Sequence, residues 1–467
     1  MTGSELLILI IPAVLAVLLL ALLSLEHLLL LTLFLAPLSL QLSWLTGETG
    51  IDLSIPTEPI MALVLLITVF KLTVTREFPK ELLRHPLTWL IGIYLLWTLI
   101  TAITSTLPGV SFKTLAYRLW FTAGFYLVAA RLAYTEKFRS RYIIAYSAGL
   151  AVVVIYFIVR VQGAGLLNQQ FAHSACYPFY KDHTSFGASM AFIIPPLAVM
   201  LISKAGLWRR ILLATLLVLF LAGFILSYSR AAWVSLMAAT LLGLILWIRM
   251  PGRLLAVSAA AFTVMIVLSA GWIWQRMDST TEDSSTDLGQ HLRSSSNIST
   301  DQSNLERINR WKCALRMFTE KPHTGWGPGT YQFKYAPFQK ASEKTVISTD
   351  FGDAGNAHSE YLGALSESGW PGALIFIAIT LGAVITGVKV WYRGKRNASG
   401  YLILAVLTGL VTYAIHGVMN SFLDSDKIAA LWWGFVAIIV AADLEGKRKL
   451  KEESVLNKGI AEKLGAP

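Results

Sequence analysis

The sequence predicts an all-α protein that crosses a membrane many times, and three observations support this fold class. The 467 residues are 55% hydrophobic and only 14% charged, and the mean hydropathy is +0.60. Apolar runs of roughly 17 or more residues recur along the chain, and this length crosses a hydrocarbon core as a helix. Basic residues concentrate in alternate connections between the runs. The chain is therefore expected to be a polytopic membrane protein with little room for a soluble domain.

Hydropathy predicts thirteen spans, near 5–24, 26–44, 58–75, 86–104, 112–133, 138–160, 186–203, 208–226, 229–248, 254–274, 370–390, 399–417 and 428–444. The first two are nearly contiguous around Leu25, Glu26 and His27, so one bent span there would reduce the total to twelve. The first stretch lacks a basic n-region and a small-residue cleavage pattern, and we expect it to remain as a membrane helix.

The positive-inside rule sorts the connections between these spans. The short loops expected in the cytoplasm carry Arg76, Lys80, Arg84, Lys137, Arg139, Arg141, Lys204, Arg209, Arg210, Arg249, Arg253, Arg393, Lys395 and Arg396. The alternate connections then face the periplasm. This divides the chain into an N-terminal helix bundle at 1–274, a large periplasmic loop with catalytic elements at 275–369, C-terminal helices at 370–445 and a cytoplasmic tail at 446–467.

The net charge of +11 is interpreted as membrane topology together with attraction to anionic lipids. No basic helix interleaved with aromatic residues is present to indicate nucleic-acid binding. The expected environment is therefore membrane lipid, and the sequence leaves the oligomeric state open.

The large loop has two parts. Residues 278–304 are polar and poor in aromatic residues, whereas Ile308, Trp311, Leu315 and Phe318 follow at helical spacing. Pro322, Gly325, Gly327 and Gly329 come next and act as helix breakers. We predict an amphipathic helix followed by a tight glycine turn.

Only two cysteines are present, Cys176 and Cys313, and both fall on the predicted periplasmic side. They can form a disulfide in an oxidising compartment, or they can be two small buried hydrophobic residues. No cysteine or histidine motif with metal-ligand spacing occurs, so neither a metal nor a cofactor is predicted.

His358 is the main catalytic candidate. It lies in AHSEYLGALSESGWPG, at the rim of a predicted membrane helix, where a titratable imidazole is expected to serve chemistry. Glu360, two residues later, is expected to be solvated or to orient the histidine from a neighbouring turn. His173, His291, His323 and His416 are interpreted as surface or core histidines.

Arg230 is the first candidate for anion binding. It lies in LSYSRAAW, at the bend between two predicted helices. It can hold a phosphate in bidentate fashion, or it can extend to lipid headgroups as an interfacial arginine.

Four further candidates come from the amphipathic helix and from the segment before residue 186. Arg307 and Arg310 lie within one turn of Trp311, so one of them can face the membrane, although solvation is the alternative. Lys181 and His183 flank Asp182 in YPFYKDHTSFGA, and they can contribute to an anionic-ligand pocket. Asp182 can instead cap the following helix together with Thr184 or Ser185.

Taken together, these residues resemble the O-antigen ligase and polymerase superfamily of bacterial inner membranes. The resemblance rests on Arg230 in SRAAW, Arg307 four residues before Trp311, the PHTGWGPGTYQF turn, and His358-Ser359 with Gly369 and Gly372. It covers roughly residues 186–440. The family often has asparagine after the histidine, whereas this chain has Ser359.

The resemblance implies an all-helical fold with about a dozen spans, a periplasm-facing site without metal, and a glycan donor on undecaprenyl pyrophosphate. Carried over, Arg230 and Arg307 would grip the pyrophosphate and His358 would be the general base. Arg310, Lys181 and His183 remain secondary candidates.

The favoured acceptor is a lipid A-core hydroxyl, since the histidine-to-glycine spacing and the long late loop are typical of a ligase. A polymerase that extends a lipid-linked glycan, or an oligosaccharyltransferase that modifies a protein hydroxyl, uses the same donor. A transporter or flippase is a further alternative, but it would be expected to place charges near the bilayer midplane on broken helices.

Overall fold

The computed structural model describes residues 14–46, 53–166, 168–203, 206–251, 253–254, 302–345, 348 and 355–463. The first part of the chain forms thirteen α-helices among these residues: α1 Val14–Leu23, α2 Leu25–Leu35, α3 Leu42–Thr46, α4 Thr57–Thr73, α5 Lys80–Leu83, α6 Pro86–Ile103, α7 Pro108–Phe121, α8 Ala129–Leu132, α9 Glu136–Ala164, α10 Gln169–Ala172, α11 His183–Ile202, α12 Leu207–Leu226 and α13 Arg230–Trp247. A π-helical segment, Thr122–Val128, joins α7 to α8.

Five α-helices follow among the described residues from 302 onward: α14 Gln302–Glu320, α15 Tyr331–Lys334, α16 Glu360–Arg393, α17 Ala398–Met419 and α18 Asp426–Lys463. Three short 3-10 helices cover Ala36–Leu38, Ala336–Phe338 and Ala341–Glu343. Strand β1 (Leu40–Gln41) pairs antiparallel with β2 (Ser54–Ile55), with Leu40 opposite Ile55. The all-α prediction is confirmed.

Eight helices among the described residues are long and apolar enough to cross a membrane, namely α6, α9, α11, α12, α13, α16, α17 and the part of α18 up to Leu456. The predicted span 58–75 corresponds to the 17-residue α4, and 112–133 to α7, the π-helical segment and α8. Ser24 separates α1 from α2 and caps α2 by accepting a hydrogen bond from the His27 N–H. The span predicted at 254–274 and most of the polar segment 278–304 lie outside the described residues.

Burial divides the helices into a central and a peripheral group. In α18, 89% of the apolar stretch is buried, and in α17 78%, whereas α12 and α13 each bury 28%. The peripheral helices expose large side chains such as Leu241 and Val218, which suit a lipid environment. The central helices α11, α17 and α18 therefore form the core to which the peripheral helices are attached.

The predicted cytoplasmic loops meet at one end of the bundle and are tied together by ion pairs. Arg139 contacts Glu445 at 2.5 Å and Arg131 contacts Glu77 at 2.9 Å. Arg249 donates hydrogen bonds to the carbonyl oxygens of Trp391 and Gly394 at 2.8 and 2.6 Å. These contacts join loops that the positive-inside rule had grouped together.

The opposite end is called here the site end. There α6 ends, α7, α11, α13 and α16 begin, α17 ends and α18 begins. The helix α16 contains a break at Gly369 (φ 67°, ψ −178°), which separates a short segment at 360–368 from the apolar remainder. The predicted boundary between residues 369 and 370 coincides with this break, and the helix itself starts ten residues earlier than the predicted span.

Candidate functional site

The backbone of His358 occupies the left-handed region, with φ 47°. This conformation is unfavourable for a side chain with a Cβ and persists where neighbouring contacts enforce it. The His358 N–H donates to Asn356 Oδ1 at 3.0 Å, and the indole N–H of Trp311 donates to the His358 carbonyl oxygen at 3.0 Å. Ser359 caps α16 by accepting from the Leu362 N–H at 3.3 Å. The peptide groups on both sides of the imidazole are thus held in place.

The imidazole of His358 is partly buried, and its Nδ1 has no hydrogen-bond partner among the described residues. Burial lowers the pKa of His358 to about 4, and the positive charges of Arg307 and Arg310 contribute in the same direction. At neutral pH the ring is therefore uncharged, which is the form that can accept a proton.

Arg230 is the first residue of α13, directly after the bend at 227–229. Tyr228 in this bend has φ 51°, while Ser227 and Ser229 are fully buried. A Cβ on Gly187 of α11 would lie 2.8 Å from Ser229 Cβ, so α11 and the bend are in direct contact. The lack of a side chain at Gly187 allows the start of α13 to approach α11.

Arg230 and Arg307 approach the same region from different elements. Arg230 begins α13, and Arg307 lies on α14 one turn before Trp311, whose indole N–H donates to the His358 carbonyl oxygen. Arg307 Nη1 donates to Asn304 Oδ1 at 3.0 Å. Arg230, His183 and His358 therefore lie at the starts of α13, α11 and α16, at the same end of the bundle, although they are far apart in the sequence.

Arg310 has a different environment from Arg307. Its Nε donates to Glu306 Oε1 at 2.5 Å, its guanidinium lies 3.9 Å from the centre of the Tyr335 ring, and only 3% of the residue is exposed. Burial raises the pKa of Glu306, but hydrogen bonds from Ser348 and Arg310 outweigh this effect and leave it below its ordinary value. Arg310 is thus part of the packing of the loop region, although its positive charge still lowers the pKa of His358.

Lys181, Asp182 and His183, at the start of α11, have separate environments. Asp182 Oδ1 accepts hydrogen bonds from the N–H groups of Thr184 and Ser185, each at 2.8 Å, so the helix-cap prediction is confirmed. The His183 ring stacks on His173, with centroids 3.9 Å apart and an interplanar angle of 11°. Lys181 is exposed. Between the two secondary candidates in this segment, His183 is the one that is partly buried.

The glycine turn after α14 adopts the predicted tight conformation. Gly325, Gly327 and Gly329 have φ values of 68°, 113° and 76°. A Cβ on Gly327 would lie 2.0 Å from Ser105 Oγ, in the connection between α6 and α7. The neighbouring residues therefore leave no room for a side chain at this position of the turn.

Glu367, which the sequence analysis did not select, joins this turn to the short segment of α16. Its Oε1 accepts a hydrogen bond from the Tyr331 N–H at 3.0 Å, and its carbonyl oxygen accepts from the Gly327 N–H at 2.9 Å. Tyr331 begins α15 directly after the glycine turn. The sequence feature that could have indicated Glu367 is its carboxylate at the edge of a predicted membrane helix, where an acidic side chain needs a partner.

The expectation that Glu360 is solvated is wrong. Its Oε1 accepts from the N–H groups of Phe422 and Leu423, both at 2.8 Å, and from the Tyr413 hydroxyl. Its Oε2 accepts from Ser421 Oγ at 3.2 Å. A carboxylate that faces backbone N–H groups accepts their hydrogen bonds. The loop that supplies them lies some sixty residues later in the chain, and nothing in the sequence indicated this contact.

Both cysteines are free and buried, which agrees with the interpretation as small hydrophobic residues. Burial raises the pKa of the Cys176 thiol to about 12 and that of Cys313 to about 11. Within the described ranges, no group of three or more His, Cys, Asp or Glu side chains is arranged so that it could hold a metal ion.

The fold and these residues define a class of protein: a polytopic α-helical membrane protein with arginine and histidine side chains gathered at one end of its bundle. Residues 215–377 match the family model described as O-antigen ligase, which confirms the expected resemblance to the O-antigen ligase superfamily. No curated protein matches the chain. The matched segment contains Arg230, Arg307, the glycine turn and His358, while Lys181 and His183 precede it. The family implies a membrane enzyme of the ligase or polymerase kind that acts on lipid-linked glycans.

Proposed function

We propose that this protein is an O-antigen ligase that transfers a polysaccharide from undecaprenyl pyrophosphate to a hydroxyl of lipid A-core. The site would face the periplasm from the bacterial inner membrane. Arg230 and Arg307 bind the pyrophosphate, and His358 is the general base. The proposed reaction needs no metal and inverts the configuration of the anomeric centre.

The observation that carries the proposal is the combination of two cations with a neutral imidazole at one end of the bundle. Arg230 begins α13 at this end, and Arg307 lies one turn before Trp311, whose indole N–H donates to the His358 carbonyl oxygen. A guanidinium suits the pyrophosphate of the donor, which gains negative charge as it leaves. An imidazole held neutral by burial can take the proton of an acceptor hydroxyl.

The reaction balances with these groups. The acceptor oxygen attacks the anomeric carbon from the face opposite the pyrophosphate, and the bond from that carbon to the phosphate oxygen breaks. Undecaprenyl pyrophosphate departs with the electron pair, while His358 takes the hydroxyl proton. The arginines stabilise the negative charge that develops on the leaving group, which is usually the largest contribution to catalysis of this kind.

Two other acceptors use the same donor chemistry. A polymerase would use another lipid-linked repeat as acceptor, and a protein O-oligosaccharyltransferase would use a protein hydroxyl. The ligase is preferred because the chain combines the full histidine-to-glycine spacing with a long late loop. A deletion strain that keeps carrier-linked polymer while its core-lipid A lacks long glycan would support the ligase against both.

A transporter or flippase is the alternative from another functional class. Such proteins place charges near the bilayer midplane. Here Arg230 begins α13, His183 begins α11, and His358 precedes α16. Because these residues are all at helix starts, an enzyme acting at the membrane surface is favoured.

Glycan transfer by the purified protein in detergent tests the proposal. The assay contains undecaprenyl-pyrophosphate-linked glycan, lipid A-core and EDTA, and compares wild type with His358→Ala, Arg230→Ala and Arg307→Ala at equal folded amounts. Lys340→Ala is the matched control, because it removes an exposed cation from the same loop region. Transfer that survives EDTA and falls by about 100-fold or more in the three variants alone is expected.

Other outcomes of this assay separate the alternatives. If wild type lengthens the carrier-linked glycan and ignores lipid A-core, the polymerase assignment replaces the ligase. If His358→Ala transfers at the wild-type rate, the proposed general base is wrong. If no transfer occurs to lipid A-core or to the carrier-linked glycan, the donor assignment itself is contradicted.

A further inference from the structure

Glu360 and Asn356 lie on either side of His358 and bind the same short connection between α17 and α18. Asn356 Nδ2 donates to the Ser421 carbonyl oxygen at 2.9 Å. Glu360 accepts from Ser421 Oγ and from the N–H groups of Phe422 and Leu423. The segment 421–423 is called here the anchor loop. Both ends of the His358 turn are therefore attached to one structure.

We infer that Glu360 is a positioning residue that fixes the imidazole of His358 through the anchor loop. The inference rests on the proposed function, in which His358 takes the acceptor proton. Glu360 itself contacts protein groups only in the hydrogen bonds described above, and we assign it no step of the chemistry.

The argument begins with the strained backbone of His358. At φ 47° this residue would relax to a more favourable conformation if its contacts were weakened. Asn356 holds the His358 N–H at 3.0 Å, and Asn356 is itself held by the anchor loop. The direction of the imidazole thus depends on the distance between the anchor loop and the start of α16.

Glu360 sets that distance. One carboxylate oxygen accepts two consecutive backbone N–H groups at 2.8 Å each, and the Tyr413 hydroxyl of α17 donates to the same oxygen. Loss of the carboxylate would leave the Leu423 N–H without an acceptor and the Phe422 N–H with the Tyr413 hydroxyl alone, at 3.1 Å. The loop and the His358 turn would then shift together.

A purely structural role predicts a different outcome. In that case, removing Glu360 would lower the thermal stability and the amount of folded protein, while each folded molecule would keep its turnover. A positioning role predicts a lower kcat per folded molecule with an unchanged KM for the donor, because the arginines that bind pyrophosphate lie on other elements. The kcat and KM values therefore separate the two interpretations.

The test compares Glu360→Ala, Glu360→Gln and Asn356→Ala with wild type in the full chain, using undecaprenyl-pyrophosphate-linked glycan and lipid A-core. Tyr361→Phe is the matched control, because it removes one hydrogen bond, from Tyr361 to the Ala414 carbonyl oxygen at 2.9 Å, that joins the same helix segment to α17. Thermal melting of each variant sets the folded amounts.

For Glu360→Ala we expect kcat to fall on the order of 100-fold, the effect of displacing a catalytic group by about 1 Å, with the donor KM unchanged. Glu360→Gln keeps an amide oxygen that can accept the two N–H groups and should retain at least about a tenth of wild-type kcat. Asn356→Ala should lower kcat as well, and it tests the inference even if Glu360→Ala fails to fold. Tyr361→Phe should keep wild-type kcat.

The inference is overturned if Glu360→Ala and Asn356→Ala turn over at the wild-type rate, or if Tyr361→Phe loses as much kcat as they do. It is also overturned if the loss appears in the donor KM alone. Failure of wild type itself to transfer glycan would contradict the proposed function instead, so the two failures are distinguishable.

Discussion

The indole N–H of Trp311 donates a hydrogen bond to the carbonyl oxygen of His358 at 3.0 Å. Trp311 belongs to α14 and His358 precedes α16, so this bond joins the amphipathic helix of the loop region to the catalytic candidate. Sequence spacing alone had suggested Trp311 as a residue of the apolar face of its helix. In the structure it also supports the strained peptide of His358.

Trp311→Phe is expected to lower kcat about 3- to 10-fold, since it removes one hydrogen bond worth about 0.5–1.5 kcal/mol while keeping an aromatic ring. Trp326→Phe is the matched control, because the Trp326 indole donates to the Met317 carbonyl oxygen at 2.9 Å instead of to His358. Steady-state transfer rates at equal folded amounts provide the measurement. Equal losses of kcat in the two variants would contradict a specific role of Trp311.

The pH dependence of transfer follows from the lowered pKa of His358, about 4. The neutral imidazole is the base, so kcat/KM should stay level from pH 8 to about pH 5 and fall as the pH drops through about 4. An ordinary histidine would lose activity near pH 6.5. Rates with the full-length enzyme across this range provide the measurement, and a fall centred at 6.5 would contradict the burial effect.

The same lowered pKa has a consequence for stability. Protons bind more readily to the unfolded chain, whose histidine has the ordinary pKa, than to the folded protein. The contribution of His358 is therefore complete above about pH 6.5 and is lost progressively as the pH falls toward 4. The melting temperatures of wild type and His358→Gln should converge as the pH is lowered from 7 to 4, because the variant lacks this proton uptake.

Arg310 and Arg307 should respond differently to substitution. Arg310→Met leaves the buried Glu306 without its cation and should cost about 3–5 kcal/mol of stability, as for other broken buried ion pairs. The double variant Arg310→Met with Glu306→Gln should recover part of that loss. Arg307→Ala should instead lower transfer with little change in thermal stability. Melting curves and transfer rates for the same preparations would show whether the two effects separate in this way.

Gly369→Ala should destabilise the protein, because the residue has φ 67° and its Cβ would lie 2.1 Å from the His323 carbonyl oxygen. The backbone strain alone costs about 1–3 kcal/mol. Gly363→Ala is the matched control in the same helix, where the nearest atom to a new Cβ, on Ala357, is 3.7 Å away. Alanine there should be neutral or stabilising, since it favours the helix. Thermal melting of both variants tests the difference.

The two thiols should be unreactive in the folded protein. Cys176 and Cys313 are buried, and burial raises the pKa of each to about 12 and about 11, so little thiolate is present at neutral pH. A maleimide reagent should label neither cysteine before denaturation and both afterwards. Rapid labelling of the native protein, or no labelling after denaturation without reductant, would contradict free buried cysteines.

The site could be predicted from sequence only in part. The order of Arg230, Arg307, His358 and the glycine turn selected the region, and the matched family segment contains all of them. The sequence could not distinguish Arg307 from Arg310, because one turn of helix brings both close to Trp311. That distinction depends on Glu306 and on the Tyr335 ring, which contacts Arg310 from a later part of the loop.

What the sequence by itself determined is local in origin. Runs of apolar residues specify helices because the hydrocarbon core demands internal hydrogen bonds, glycines permit positive φ at 325, 327 and 329, and Asp182 caps the helix that follows it. The tertiary structure alone decided the partners of Glu360 and Glu367. A buried carboxylate must find donors wherever packing brings them, and here the packing of α16 against α17 and the glycine turn supplies donors from distant parts of the chain.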